Sequence, residues 1–559
     1  MDLAAPDAAE RRSAHVDTFA ADHLPPRAQW PQFALDLPEL QYPPRLNCAT
    51  ELLTGAIDRG WGDRIALRAP GGLQWTYRQL DEQASRIAHV LVRELHLVPG
   101  NRVLLRGFNS PSMAACWFAV IKAGGIAVAT MPLLRARELV PVITKARISH
   151  ALCDARLLDE LNAARAQCPA LSEVAVFGSD APHGLDARAS RQPGRFDDVD
   201  TAADDTALIA FTSGTTGEPK GTMHFHRDVL AICDCWPRST LRASMDDVFT
   251  GSPPLAFTFG LGGLLLFPLR IGACALLLEK AAPDLLLAAI AEQRPSVVFT
   301  APTSYRAMAL AIQRSRADVS SLRKCVSAGE PLPAATRALW KDATGIELID
   351  GIGATEMLHI FISHPDHDAR GGATGKPVPG YIATVLDDAG REAPRNTVGR
   401  LAVKGPTGCR YLADPRQTAY VQDGWNITGD AYLIDDDGWF VYQARTDDLI
   451  VSAGYNIAGP EVEAALLSHE AVAECGVVAS PDEERGAIVK AFVVLKPGVP
   501  ASEPLVKALQ EHVKQQIAPF KYPRAIEFME RLPRTETGKL QRFALRQLEA
   551  QRARRGDTT

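Results

Sequence analysis

Phe211-Thr212-Ser213-Gly214-Thr215-Thr216-Gly217-Glu218-Pro219-Lys220-Gly221 follows an apolar run, Thr206-Ala207-Leu208-Ile209-Ala210, that reads as a short buried strand. The small-residue segment therefore sits where a strand ends and a loop begins, a placement suited to an anion cradle. Glycines let the backbone turn and approach a ligand closely, N–H groups and hydroxyls can face phosphate oxygens, and Lys220 adds a full positive charge. The spacing is not that of a Walker loop. Gly214 and Gly217 are three apart and Pro219 precedes the lysine, where that motif needs four residues between its glycines and Lys-Ser/Thr at its end.

A chain of 559 residues is too long for one core, and roughly two to four domains are expected. Composition is ordinary for a globular protein: 46% hydrophobic, 23% charged, formal net charge −6. Basic residues are dispersed apart from Arg552, Arg554 and Arg555, so no nucleic-acid partner is indicated. Of the ten cysteines, the close pair Cys233 and Cys235 has one intervening residue, which fits neither zinc-knuckle nor thioredoxin spacing. Reduced, packed thiols in a cytoplasmic setting are expected. The N-terminus lacks the apolar region of a secretory signal. The most apolar region, 255–278, is broken by Gly260, Gly262, Gly263, Pro268 and Arg270, so it reads as buried core and not as a membrane span.

In chain order, residues 1–45 form an irregular arm rich in Ala, Asp, Arg and Pro. Helical spacing is expected over 49–61, a strand at 65–68, and an amphipathic helix over 80–91. Strand 102–105, helix 111–123 and strand 126–129 complete a β-α-β pattern that recurs through apolar runs at 150–153, 173–177 and 296–300. Such alternation implies a parallel sheet with helices between its strands. After about residue 380 the texture becomes β-rich, with strands at 383–386 and 399–403. Asp435-Asp436-Asp437-Gly438 between apolar runs marks a hairpin, since Asp-Gly tolerates the positive φ of a tight turn. Beyond Arg445, a helix at 460–468, strands at 473–478 and 488–495 and a helix at 504–516 indicate a small α+β domain.

The segment 213–221 resembles the phosphate-binding signature of the adenylate-forming superfamily, which includes acyl- and aryl-CoA ligases. Four further segments resemble that family's motifs in the family's order: Ile349-Asp350-Gly351-Ile352-Gly353-Ala354-Thr355-Glu356, Gly424-Trp425-Asn426-Ile427-Thr428-Gly429-Asp430, Arg445 through Ile457, and Pro533-Arg534-Thr535-Glu536-Thr537-Gly538-Lys539-Leu540. The resemblance implies an α/β fold: an adenylation domain of parallel αβ-layered sheets plus a β-rich portion over 46–446, then a small mobile C-terminal α+β domain over 447–559. It implies that Thr212, Ser213, Gly214, Thr215, Thr216, Gly217 and Lys220 grip ATP phosphates, that Thr355 contacts the α-phosphate, and that Glu356 holds Mg²⁺. Asp350, Gly351 and Ile352 would line the adenine, with isoleucine standing where many members place an aromatic residue. Asp430 and Arg445 would take the ribose, Asp447 would be a hinge, Gly454 would line the coenzyme A channel, and Lys539 would bridge carboxylate and α-phosphate.

Pro253-Pro254-Leu255-Ala256-Phe257-Thr258-Phe259-Gly260 occupies the place of the family's substrate loop, with Phe257 where many members carry histidine. Together with Glu356-Met357-Leu358-His359-Ile360-Phe361, the chain looks most like 2-aminobenzoate and benzoate CoA ligases. Ala256 is small, which could leave room for a ring substituent. His359 could hydrogen-bond the acid carboxylate or an ortho amine. Tyr305, Ser327, Ala328 and Gly329 are further pocket candidates by position. The function so implied is ATP-dependent conversion of an aromatic acid, 2-aminobenzoate first and benzoate or hydroxybenzoate next, to its CoA thioester through an aryl-AMP. Two rivals stand beside it. A carrier-protein phosphopantetheine arm could replace CoA as acceptor, although no carrier domain follows Lys539. A non-catalytic nucleotide binder is opposed by the intact Glu356, Asp430, Arg445 and Lys539.

Overall fold

Five of the apolar runs become neighbouring parallel strands. In the computed structural model, which describes residues 13–213, 218–452, 455–482, 486–534 and 540–555, their spatial order is Glu173–Phe177, His150–Asp154, Arg102–Arg106, Ile126–Thr130 and Thr206–Ser213. Pro219–Phe225 then folds back antiparallel at the edge. Every residue of Arg102–Arg106 and His150–Asp154 is buried, the condition of central strands covered on both faces. The helix Pro111–Lys122 begins cleanly because Ser110 accepts the Met113 N–H at 3.2 Å and Pro111 occupies the first turn. Thr76 and Gln79 form a reciprocal capping box at the start of Tyr77–Arg93.

A second sheet has nine strands, in the order Lys376–Pro377, Ile360–Ser363, Leu348–Gly353, Lys324–Ser327, Val297–Thr300, Val248–Gly251, Cys274–Leu276, Ile65–Arg68 and Gln74–Thr76. Its interior pairings are parallel and its outer ones antiparallel. Residues 49–61 are helical as their spacing predicts, but as wide π-type turns, Thr50–Thr54 and Ile57–Trp61, and Gly60 adopts φ 84°. Only glycine enters that conformation without steric cost, so the turn closes there.

The chain divides into two compact units, Met1–Ala383 with Val403–Asn426, and Thr384–Ala402 with Ile427–Thr559. Within the second, Asp430 through Ile434 of the strand Trp425–Ile434 pair antiparallel with Phe440–Arg445. Asp435 Oδ1 accepts the N–H groups of Asp437 at 3.0 Å and Trp439 at 2.8 Å, and Gly438 has φ 82°. Farther on, Val472–Asp482, Gly486–Leu495 and Ala525–Phe528 form a three-stranded sheet. Val462 and Leu466 of Gly459–Leu467 and Leu509 and Val513 of Glu503–Gln516 share one core with it. The architecture is thus α/β, with mixed sheets followed by a C-terminal portion of strands and helices. All ten cysteines are free and buried. Among the described residues no helix is long and apolar enough to cross a membrane.

Candidate active site

The phosphate-loop stretch is the tip of a hairpin. Thr206–Ser213 pairs with Pro219–Phe225, bringing Thr212 opposite Lys220 and Phe211 opposite Gly221. A Cβ on Gly221 would meet the Phe211 ring at 2.9 Å, so glycine there is what lets that ring lie across the hairpin. The return strand is held from outside: Lys145 Nζ donates to the Pro219 carbonyl at 3.0 Å and Arg416 Nη1 to the Glu218 carbonyl at 3.2 Å. Both cations rest on Asp414, at 2.5 and 2.6 Å. Gly214, Thr215, Thr216 and Gly217 lie outside the described residues, as does the side chain of Ser213.

Lys220 meets the second motif through a residue that sequence reasoning missed. Its ammonium donates to the Tyr411 hydroxyl at 3.0 Å, lies 5.1 Å from that ring's centroid, and stands 3.5 Å from Glu356 Oε1. The Tyr411 hydroxyl in turn donates to the Glu356 carboxylate. Burial, and then the charge of Glu356, push the Tyr411 hydroxyl far above the usual phenol range, so it remains a donor. Glu356 is 7% exposed, yet each of its contacts is to a donor, as a buried carboxylate requires.

Glu356 belongs to the 3₁₀ turn Thr355–Met357, which joins Leu348–Gly353 to Ile360–Ser363. Leu358 closes that turn with φ 68°, a left-handed conformation that is uncommon for a residue with a branched side chain. Two side chains take the turn's carbonyls: His224 Nε2 donates to Thr355 at 2.8 Å, and Thr407 Oγ1 to Met357 at 2.8 Å. On the preceding strand Gly353 is needed, since a Cβ would fall 2.7 Å from the His359 carbonyl oxygen. Ile352 is half-buried and pairs with Ile362.

Asp350 is enclosed. Its N–H donates to His364 Nε2 at 3.2 Å, its carbonyl accepts from Ser363 Oγ at 2.6 Å, and Ser327 lies opposite it on the neighbouring strand. Burial pushes its carboxyl up to about 7, with Arg337 only partly offsetting this. A carboxyl raised in this way keeps its proton in the folded state where the unfolded chain has already lost it. The contribution of this one group to stability is therefore greatest below the unfolded value and falls as pH rises toward 7. Asp350→Asn removes that loss. The variant is expected to gain on the wild type by up to about 4 kcal/mol between pH 4 and pH 8, measured by urea unfolding at both. An equal difference at the two pH values would contradict it.

On the acid side, Ala256 and Phe257 line a small pocket with Trp117, Leu208, Ala210 and Leu261. That wall includes the strand leading into the phosphate loop, so the substrate-loop candidate and the loop share one neighbourhood. Asn109, also missed in sequence, fixes the segment: its Nδ2 donates to Pro253 O at 2.9 Å and its Oδ1 accepts from Leu255 N at 2.8 Å. A Cβ on Gly260 would stand 2.1 Å from the Pro254 carbonyl oxygen, which explains the glycine at that bend. His359 sits among Trp236, Phe259 and Phe267, whose ring centroids lie 5.9, 5.7 and 4.4 Å away. Burial lowers its imidazole to about 3, so it is neutral, and its Nδ1 is buried with no hydrogen-bond partner among the described residues. Tyr305 is placed in a core cluster, packed edge-on to Trp340 at 4.8 Å with its hydroxyl between the Val298 and Val326 carbonyls. Ala328 is buried, and Gly329 takes φ 85°.

In the second unit, Asp430 and Arg445 face each other across the hairpin. Arg445 Nη1 donates to Asp430 Oδ1 at 3.0 Å and to the Thr428 carbonyl at 3.2 Å. Gly454 and Lys539 lie outside the described residues, as does the side chain of Asp447. The neighbouring Asp448 is paired with Arg546.

A family model described as AMP-binding enzyme matches residues 56–411, and one described as AMP-binding enzyme C-terminal domain matches residues 461–539. The benzoate–CoA ligase of Thauera aromatica is 35% identical over 513 residues, covering 91% of this chain and 97% of that protein. A crystal structure of an anthranilate CoA ligase in complex with anthranoyl-AMP has a TM-score of 0.85 at 34% identity, covering 92% of this chain and 99% of that one. A benzoate CoA ligase from Burkholderia xenovorans gives 0.81 at 33% identity, covering 90% and 100%.

Proposed function

The chain belongs to the AMP-binding enzyme family, and from that premise we propose that it is an ATP-dependent acid–CoA ligase for an aromatic carboxylic acid of the benzoate class. The acid's carboxylate attacks the α-phosphate of ATP, giving an acyl-AMP and pyrophosphate. The thiol of coenzyme A then displaces AMP to give the thioester. Activation is needed because hydroxide is a poor leaving group, and the demand on the protein is to hold a polyanion and stabilise charge that builds at the α-phosphate.

The observation that carries this reading is the Lys220–Tyr411–Glu356 chain, which joins the phosphate-loop lysine to the acidic residue of the second motif. Thr212 and Lys220 would hold the β- and γ-phosphates, Thr355 the α-phosphate, Asp350, Gly351 and Ile352 the adenine edge, and Asp430 with Arg445 the ribose. Lys539 would bridge carboxylate and phosphate. The donor set suits Mg²⁺, a hard ion that keeps several waters and takes one or two carboxylates plus nucleotide phosphates. Glu356 is such a carboxylate, and among the described residues no group of three His, Cys, Asp or Glu side chains could cage a metal. When bound, the ion would neutralise charge on the phosphate oxygens.

Incubating the protein with ATP, Mg²⁺ and a panel of benzoic, aminobenzoic, hydroxybenzoic and aliphatic acids, with and without CoA, tests this. CoA-dependent AMP formation with the aromatic acids is expected, and its absence with all of them would overturn the proposal. Ala256, small and on the pocket wall, favours 2-aminobenzoate as a second reading within the class. Ala256→Phe is accordingly expected to reduce kcat/KM for 2-aminobenzoate roughly tenfold more than for benzoate, the scale of a steric change in an apolar pocket. Equal losses would remove the ortho-substituent preference.

A further inference from the structure

Behind the Thr355–Met357 turn lies a fully buried polar group that none of the roles above employs. His224, on the return strand of the phosphate-loop hairpin, is 0% exposed, as is Asp228 one helical turn later. The His224 Nε2–H donates to the Thr355 carbonyl at 2.8 Å. On the opposite edge of the ring, Nδ1 stands 3.8 Å from Asp228 Oδ2 and has no hydrogen-bond partner among the described residues. Asp228 is itself fixed, accepting the Phe225 N–H at 2.9 Å and pairing with Arg410, whose guanidinium lies 3.8 Å from the Phe225 ring centroid.

An apolar side chain would fill this position without leaving a nitrogen unsatisfied, and an orphaned buried polar atom costs about 1–3 kcal/mol. The compensating contact is the one to Thr355. That residue opens a turn closed by the left-handed Leu358, and sparsely populated backbone persists only where its surroundings over-determine it.

We propose that His224 is a positioning residue for the adenylation step: its Nε2–H fixes the Thr355 carbonyl, and through that peptide plane sets the Thr355 and Glu356 side chains against the nucleotide. This rests on the assignment of Thr355 and Glu356 to the α-phosphate and its metal. The hairpin that carries the phosphate loop thereby also orients the second motif, so both grips on the nucleotide are set by one element. A carbonyl left unheld lets the turn relax, and an error of about 1 Å in a reacting group can cost 10²-fold.

The test uses the full chain with His224→Leu, which removes the donor, and His224→Gln, which returns an N–H at a similar reach. Acid-dependent ATP–pyrophosphate exchange is read for kcat and KM, with calorimetric ATP affinity and Tm alongside. His224→Leu is expected to lower exchange kcat about 10–100-fold with the acid KM within about twofold, and His224→Gln to recover most of the rate. Wild-type exchange in His224→Leu would overturn the inference. So would a folded His224→Gln as slow as the leucine variant, which decides the matter if the leucine variant does not fold. Thr355→Ala and Glu356→Gln run in parallel. If those two retain wild-type exchange, the assignment of the nucleotide grip fails; if they are slow while His224→Leu is not, the positioning role alone fails.

Discussion

Lys539→Ala is expected to slow adenylate formation by about two orders of magnitude, since removing one preorganised charge from the transition state costs roughly 3 kcal/mol. The fold should survive. The stretch that carries Lys539 enters and leaves through Arg534 and Leu540, which bridge to each other, and the Gln541 N–H donates to the Pro533 carbonyl at 2.9 Å. Just beyond, Arg542 donates to Glu463 Oε2 at 2.5 Å, while Glu463 Oε1 accepts the Val477 N–H at 2.8 Å. None of these anchors involves the lysine side chain, so Tm should move by no more than a few degrees. The discriminating measurement is a pair of half-reactions. Pyrophosphate exchange should collapse, while thioester formation from supplied acyl-AMP and CoA should be largely retained, because the thiol attacks the acyl carbon with AMP leaving, and no charge builds at a five-coordinate phosphorus in that step. Exchange at the wild-type rate would remove Lys539 from the chemistry.

Most of the parallel-sheet architecture was legible because strands buried on both faces are written as continuous apolar runs. Arg102–Arg106, His150–Asp154 and Glu173–Phe177 fall within a residue of their expected places. The hairpin around Asp435 through Gly438 was legible from turn chemistry alone. What the linear order hides is where distant segments meet. The family resemblance places a boundary at 446, while by compactness Thr384–Ala402 groups with Ile427–Thr559; that association is made by strand pairing, which leaves no local mark. The same holds in the site. Lys220 and Glu356 carry motif context, but Tyr411 lies in a stretch punctuated by Gly405, Pro406 and Gly408, and nothing local ties it to either. Tyr305 shows the converse: position in the chain marked it as a pocket candidate, yet its place on the helix Pro302–Ser315 turns it toward Trp340 and the core. The high carboxyl of Asp350 is invisible in sequence because it is a consequence of burial.

The second large effect concerns stability. Asp228 and Arg410 form an ion pair with both side chains at 0% exposure. Taking two charges out of water is costly, and only the pairing and further hydrogen bonds compensate it. Here Asp228 also accepts the Phe225 N–H, and Arg410 Nε donates to the Met223 carbonyl at 3.2 Å. Asp228→Ala is therefore expected to destabilise by about 3–5 kcal/mol, because among the described residues Asp228 is the carboxylate paired with the buried guanidinium. Arg410→Met should also destabilise, though by less, since Arg227 Nε remains 3.9 Å from Asp228 Oδ1. The pair of variants together should cost far less than their sum, since a well-packed apolar pair carries no desolvation debt. Burial raises the Asp228 carboxyl, but Arg410 together with the neighbouring His224 and Arg227 outweighs it, leaving the folded value below the usual range. The contribution is thus complete above the unfolded carboxylate value and fades as pH falls below it. Urea unfolding of the two single variants and the double variant at pH 7 measures the coupling. Additive losses would mean that the two charges are solvated independently, and that the network behind the Thr355 turn is not held by this pair.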